Sequence, residues 1–235
     1  MANPLGSGPR NRGFKSPLPD KRMNSNTERK RIYQVKRLDT YRKGWQNDSA
    51  PADIDIFPWP GAASDFRPVT KARIAVCGDS FWVFMETNET ELRAEEKGFS
   101  RLVYADSCME FFLMPDPANS AQYINWEFNP SGALCLCIGT NRYDRHDIRL
   151  ENYREFFQVK TMTHNEGWNL EYCVPFAFLQ SCFPSLELKP GHVMRGNFYK
   201  CGDKTARPHY GCWSPIDLPK PDFHCPAFFG DLVLN

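Results

Sequence analysis

The sequence lacks the signatures by which most enzymes are recognised. No GxSxG elbow, Walker loop, GxGxxG turn or HExxH pair occurs in its 235 residues, so esterase, nucleotide-binding and zinc-protease chemistry have no starting motif. It also lacks an apolar run long enough to cross a bilayer, and its N-terminus lacks the apolar centre of a secretory leader. These two absences predict a soluble, cytoplasmic protein; secretion would require a leader ahead of this sequence. Charge of one sign is not in excess, and a net charge of +1 gives no general reason to expect nucleic acid or an acidic membrane as partner. Helical periodicity is nearly missing, the one short helix expected being residues 175–180, with Pro175 at its first turn. Cysteine is plentiful but unpaired in pattern, with nine residues and no CxxC. That pattern predicts buried thiols, with room for one or two bridges, rather than a disulfide framework. Cys201, His209, Cys212, His224 and Cys225 gather suitable ligand types in one segment, yet their spacing matches no zinc pattern. No calcium loop is recognisable either.

Aromatic residues are abundant, at 14% of the chain with 18 phenylalanines, and lean towards β-structure. Residues 1–30 are rich in Gly, Pro, Ser, Asn and basic side chains and are expected to form a disordered basic tail. The folded domain is expected over residues 31–235, opening on the alternating strand IYQVKRL. Two apolar runs, 72–76 and 81–86, flank the turn at 77–80. In the stretch 106–116, Met109, Phe111 and Leu113 share a face and Glu110 lies opposite with Phe112. In the next strand Tyr123, Asn125, Glu127 and Asn129 oppose Ile124, Trp126 and Phe128. Residues 141–152 read as a charged loop, and 156–162 and 168–174 as strands about a turn at 164–167. About ten short strands predict an all-β fold, a two-layer antiparallel β-sandwich of jelly-roll or immunoglobulin-like kind. Parallel α/β is disfavoured because crossover helices are missing.

The segment 195–234 stands out. A strand over 195–201 leads into a long C-terminal aromatic loop in which Pro208, Pro215, Pro219, Pro221 and Pro226 exclude a helix or a central strand. Long ordered loops of this kind are often functional. Flat rings beside amides and carboxylates suit a sugar, whose C–H face packs on aromatic rings while its hydroxyls need polar partners. Two other readings stand beside it. A glycoside hydrolase would use a carboxylate pair such as Glu110 and Glu127, and a protein-interaction module would use the aromatic loop as its contact surface.

The runs DSCMEFF, YINWEFNPSG, RGNFYKCGD, PHYGCWSPI and DFHCPAFFGDLVL, in that order, resemble the carbohydrate-binding module family 9-like domains, closely over 104–234 and loosely from 31. The resemblance implies a non-catalytic β-sandwich that holds the end of a saccharide chain, such as xylan or glucan, between two aromatic side chains. It also implies a role in carbohydrate catabolism, frequent attachment to glycoside hydrolases, and structural calcium in some members. Tyr104, ahead of Asp106-Ser107, and Phe223, before the last strand, match the two clamp positions; both rings are smaller than the family's usual tryptophan. Glu110 matches the acidic binding position, and Asn125 or Glu127 falls where the next strand supplies a polar contact. Lys200 and Asp203 are expected to reach the hydroxyls, with Trp213 and His224 as the wall.

Overall fold

The computed structural model describes residues 30–235; the expectation of a disordered tail over 1–30 lies, but for Lys30, outside them. The chain forms β1 (Ile32–Leu38), β2 (Ala52–Asp53), β3 (Thr70–Cys77), β4 (Ser80–Thr87), β5 (Cys108–Met114), β6 (Tyr123–Phe128), β7 (Leu134–Gly139) and β8 (Arg145–Asp147). Then come α1 (Tyr153–Phe156), β9 (Lys160–His164), β10 (Gly167–Pro175), α2 (Phe176–Cys182), β11 (Val193–Cys201), β12 (Tyr210–Cys212) and β13 (Gly230–Leu234).

Hydrogen bonding runs through one strongly curled path, β8-β7-β6-β5-β11-β13-β1-β3-β4-β10-β9, with β12 beside β11 and β2 beside β3. The curl is made at β1. Its first half, from Ile32 to Val35, pairs with β13, and its second half, from Lys36 to Leu38, pairs with β3. The path therefore folds into two layers sharing one strand. Phe111, Trp126 and Phe128 from the first layer meet Val83, Leu170 and Tyr172 from the second in the main core. The Phe128 and Tyr172 rings touch directly, with centroids 5.0 Å apart.

Three sequence expectations change here. The sheet is mixed rather than antiparallel, because β1 runs parallel to both of its neighbours. A parallel neighbour needs a long crossover, and segment 39–69, which holds β2 and two short 3-10 turns, supplies it without an α-helix. Secondly, residues 153–156, expected in part as a strand, form the short helix α1, giving two short α-helices among the described residues rather than one. Thirdly, the loop 202–226 holds a short strand, β12, placed between Pro208 and Pro215 where no proline removes a donor.

Face alternation placed the core correctly. Met109, Phe111, Leu113, Ile124, Trp126 and Phe128 all point into the main core. The opposite face of the first layer, which carries Glu110, Asn125 and Glu127, is covered as well. Phe112, Tyr123, Tyr199 and Cys201 from the strands join Trp59 of the crossover and Ile216, Phe223 and Phe229 of the long loop in a second apolar cluster. The crossover also serves the far layer, where Trp45 packs on Trp82 and Phe84. Six of the nine cysteines are buried, as the sequence pattern predicts.

Candidate functional site

The covered face of the first layer encloses a cavity of about 370 Å³. Its floor comes from adjacent strands: Glu110 of β5, Glu127 of β6 and Cys201 of β11. Strand alternation puts all three on the side away from the core. Glu110 and Glu127 stand directly opposite one another in register. Two carboxylates so placed repel, and neighbouring groups hold them. Asn125 Nδ2 donates to Glu127 Oε1 at 3.0 Å, Arg145 Nη1 lies 3.5 Å from the same oxygen, and the Cys201 thiol donates to Glu110 Oε1 at 2.9 Å. Burial raises Glu110 well above the ordinary carboxylate range, and the charge of Glu127 adds to it. Burial also lifts Glu127 to about 7, against the pull of Arg145.

The walls come from loops. On one side, the turn before β5 supplies Arg101 and Tyr104, and residues after β11 supply Asp203 and Tyr210. These pieces are joined, since Asp203 N–H donates to the Tyr104 carbonyl at 3.2 Å. Burial lifts Asp203 to about 6 against the pull of Arg142. On the other side the long loop contributes Pro221, Asp222, Phe223 and His224. Arg142, from the loop between β7 and β8, clasps it by donating to Asp222 Oδ1 at 3.2 Å and to the Pro221 carbonyl at 3.1 Å.

Ring packing fixes the long loop to the floor. Phe223 stacks on Tyr199 at 4.1 Å and 6°, and the Tyr199 hydroxyl donates to the Phe223 carbonyl at 3.1 Å. The Trp59 indole N–H reaches the Leu218 carbonyl at 2.7 Å. His224 stacks on Phe112 at 4.8 Å, and its Nδ1 lies 2.9 Å from the Tyr123 hydroxyl. Burial, with Arg145 and Arg142 nearby, holds the imidazole well below its ordinary pKa and keeps it neutral.

Of the sequence-predicted site residues, Tyr104, Glu110, Glu127, Asp203, Phe223 and His224 meet in this one cavity. Tyr104 is 40% exposed and Phe223 only 9%, so the two rings border it unequally. Asn125 lies on the same face as a supporting group, accepting from Arg145 at 3.3 Å. Lys200 and Trp213 are not brought in. Lys200 takes the opposite face of β11 and is buried, with Nζ 2.7 Å from Glu89 Oε2 and 2.9 Å from His209 Nε2. Trp213 packs edge-on against Tyr33 and Phe198 in the main core. The arginines 101, 142 and 145 were missed. The last two sit in the run read only as a charged loop, where nothing in the local pattern separates a lining arginine from a solvated one.

Comparison with known proteins gives this geometry its family. The profile of carbohydrate-binding family 9 matches residues 45–234. No curated protein matches the chain. Among solved structures, a Bacteroides uniformis protein provisionally described as carbohydrate-binding is 29% identical with a TM-score of 0.73, over 88% of this chain and 100% of that one. A family 9 carbohydrate-binding module from Caldicellulosiruptor kristjanssonii, solved with glucose, is 14% identical with a TM-score of 0.60, over 87% of this chain and 96% of that one. The same kind of module solved with cellotriose gives 14% and 0.60, over 87% and 93%. The mostly β architecture, the curled mixed sheet and the profile match over most of the chain agree: this chain belongs to carbohydrate-binding family 9.

Proposed function

We propose that this domain binds the end of a glucan- or xylan-type oligo- or polysaccharide in the cavity over the first layer, without altering it chemically. The observation that carries the reading is a single recess with aromatic rings and a ring of polar groups on its lining, in a member of a carbohydrate-binding family. Tyr104 offers an accessible ring face, and Phe223 offers whatever surface its stack on Tyr199 leaves. Glu110, Glu127, Asp203 and the arginines supply donors and acceptors for hydroxyls. The Tyr123 hydroxyl and Nδ1 of the neutral His224 share a hydrogen bond of 2.9 Å; in the tautomer whose Nδ1 accepts, Nε2 carries the ring proton and is a further donor. A volume of about 370 Å³ is at the small end for ligand sites and suits a terminal ring better than a long stretch of chain. Related modules solved with glucose and with cellotriose support the glucan class.

The placement of Glu110 and Glu127 weighs against glycoside hydrolysis. Side by side on adjacent strands of one floor, they approach a bound ring from the same side, whereas hydrolysis needs carboxyls flanking the scissile bond. Titration calorimetry against gluco- and xylo-oligosaccharides tests the proposal. Binding is expected for at least one of them, with a Tyr104→Ala affinity about tenfold or more lower and an unchanged melting temperature. No heat with any sugar of the panel contradicts it.

A further inference from the structure

Beneath the cavity, Cys108, Glu110 and Cys201 bring two thiol sulfurs and a carboxylate oxygen within 4.8 Å of one another, all three residues buried. Strand register makes the cluster. Cys108 and Glu110 are two apart on β5 and share a face, and Cys201 of β11 stands directly opposite Cys108. The Cys201 sulfur is 2.9 Å from Glu110 Oε1, and both residues border the cavity.

We propose that Cys108, Glu110 and Cys201 form a metal site for a zinc-class ion, with one coordination position open to the cavity. Two sulfurs and one carboxylate are a donor set for zinc; calcium and magnesium take oxygen ligands alone. Bond lengths of about 2.0–2.3 Å put neighbouring ligands of a tetrahedral zinc about 3.5–3.8 Å apart. The cluster therefore reaches that geometry with side-chain shifts of under about 1 Å. Its three ligands sit on rigid neighbouring strands rather than on loops. The three protein ligands leave a fourth position, which in zinc sites of this kind takes water or a ligand oxygen. This metal site stands whether or not a sugar enters the cavity above it.

Cobalt(II) titration of the fully reduced protein, followed by zinc competition, tests the site. The expected result is about one equivalent of cobalt, with a thiolate charge-transfer band in the near ultraviolet, intense visible bands of a four-coordinate ion, and loss of both on adding zinc. Cys201→Ser and Cys108→Ala should each weaken or abolish the charge-transfer band, while Cys135→Ser, outside the cluster, retains it. Glu110→Gln leaves both sulfurs in place and should lower cobalt affinity at least about tenfold while keeping the thiolate band, which provides a readout if a cysteine variant folds poorly. A reduced wild type that gives no thiolate band, or bands that persist when both Cys108 and Cys201 are replaced, would overturn the proposal.

Discussion

At the scale of the residue, Lys200 separates what builds the fold from what faces the cavity. Its ammonium is buried between Glu89 and His209, on the core side of β11. Removing one partner of such a pair leaves an uncompensated buried charge at a cost of about 3–5 kcal/mol. Lys200→Ala should lower the unfolding free energy in urea by about that much, and a loss under about 1 kcal/mol would contradict the buried pairing. The reason sequence misassigned this lysine is physical. Alternation says that Lys200 lies opposite Tyr199 and Cys201, but the crowding of polar and aromatic types on both faces of 195–201 does not say which face is roofed by the long loop. The same ambiguity carried Trp213 into the expected wall, whereas Glu110 and Glu127 were legible because their own strands show a clean apolar face opposite them. Glu127 carries a second residue-scale prediction. Burial raises its carboxyl from the ordinary 4.5 to about 7, so the folded state holds the proton more tightly than the unfolded one. Its contribution to stability is full below about pH 4.5 and is lost as pH rises towards 7. His209, pushed down to about 3 by burial and by Lys200, acts with the opposite sign, its contribution being lost as pH falls below its ordinary 6.5. The prediction therefore concerns a difference: the melting temperature of Glu127→Gln minus that of wild type should rise between pH 4.5 and 7 and then level off. A difference independent of pH across that window would show that Glu127 is not buried as described.

At the scale of the element, β1 and β13 decide whether the two layers close on one another. β1 is shared between them, and β13 locks its first half. Gly230, which opens β13, is close-packed: a Cβ there would lie 2.5 Å from the Trp213 ring and 2.8 Å from the Arg31 carbonyl oxygen. Overpacking of this kind costs about 1–3 kcal/mol, so Gly230→Ala should lower the melting temperature by several degrees in thermal unfolding. An unchanged transition would contradict the close contact between strand and tryptophan. Most strands were legible, because period-two alternation over 108–114 and 123–128 leaves little choice of face. The parallel pairing of β1 was not. Strand direction within a sheet is set by the path of the connection, and segment 39–69 carries no α-helix to announce a crossover. β12 escaped notice for a related reason: a strand of three residues between prolines is too short to show a period, and only its pairing with β11 makes it one.

At the scale of the whole molecule, two faces of one layer do different work. The inner face closes the core of the sandwich, and the outer face is roofed by segments distant in sequence that leave a recess over buried carboxylates. Arg142, through Asp222 and the Pro221 carbonyl, ties the charged loop to the long aromatic loop across that roof. The family resemblance was legible from motifs spread over 104–234, because those motifs contain the roof and floor residues together. The shape of the recess was not, since it depends on three chain segments meeting. The most direct measurement is a crystal structure of the domain soaked with the tightest-binding oligosaccharide of the calorimetric panel. The account predicts a terminal sugar ring within the recess, in contact with Tyr104 and Phe223 and hydrogen-bonded to Glu110, Glu127 or Asp203. A saccharide bound elsewhere on the surface, with the recess empty, would contradict it.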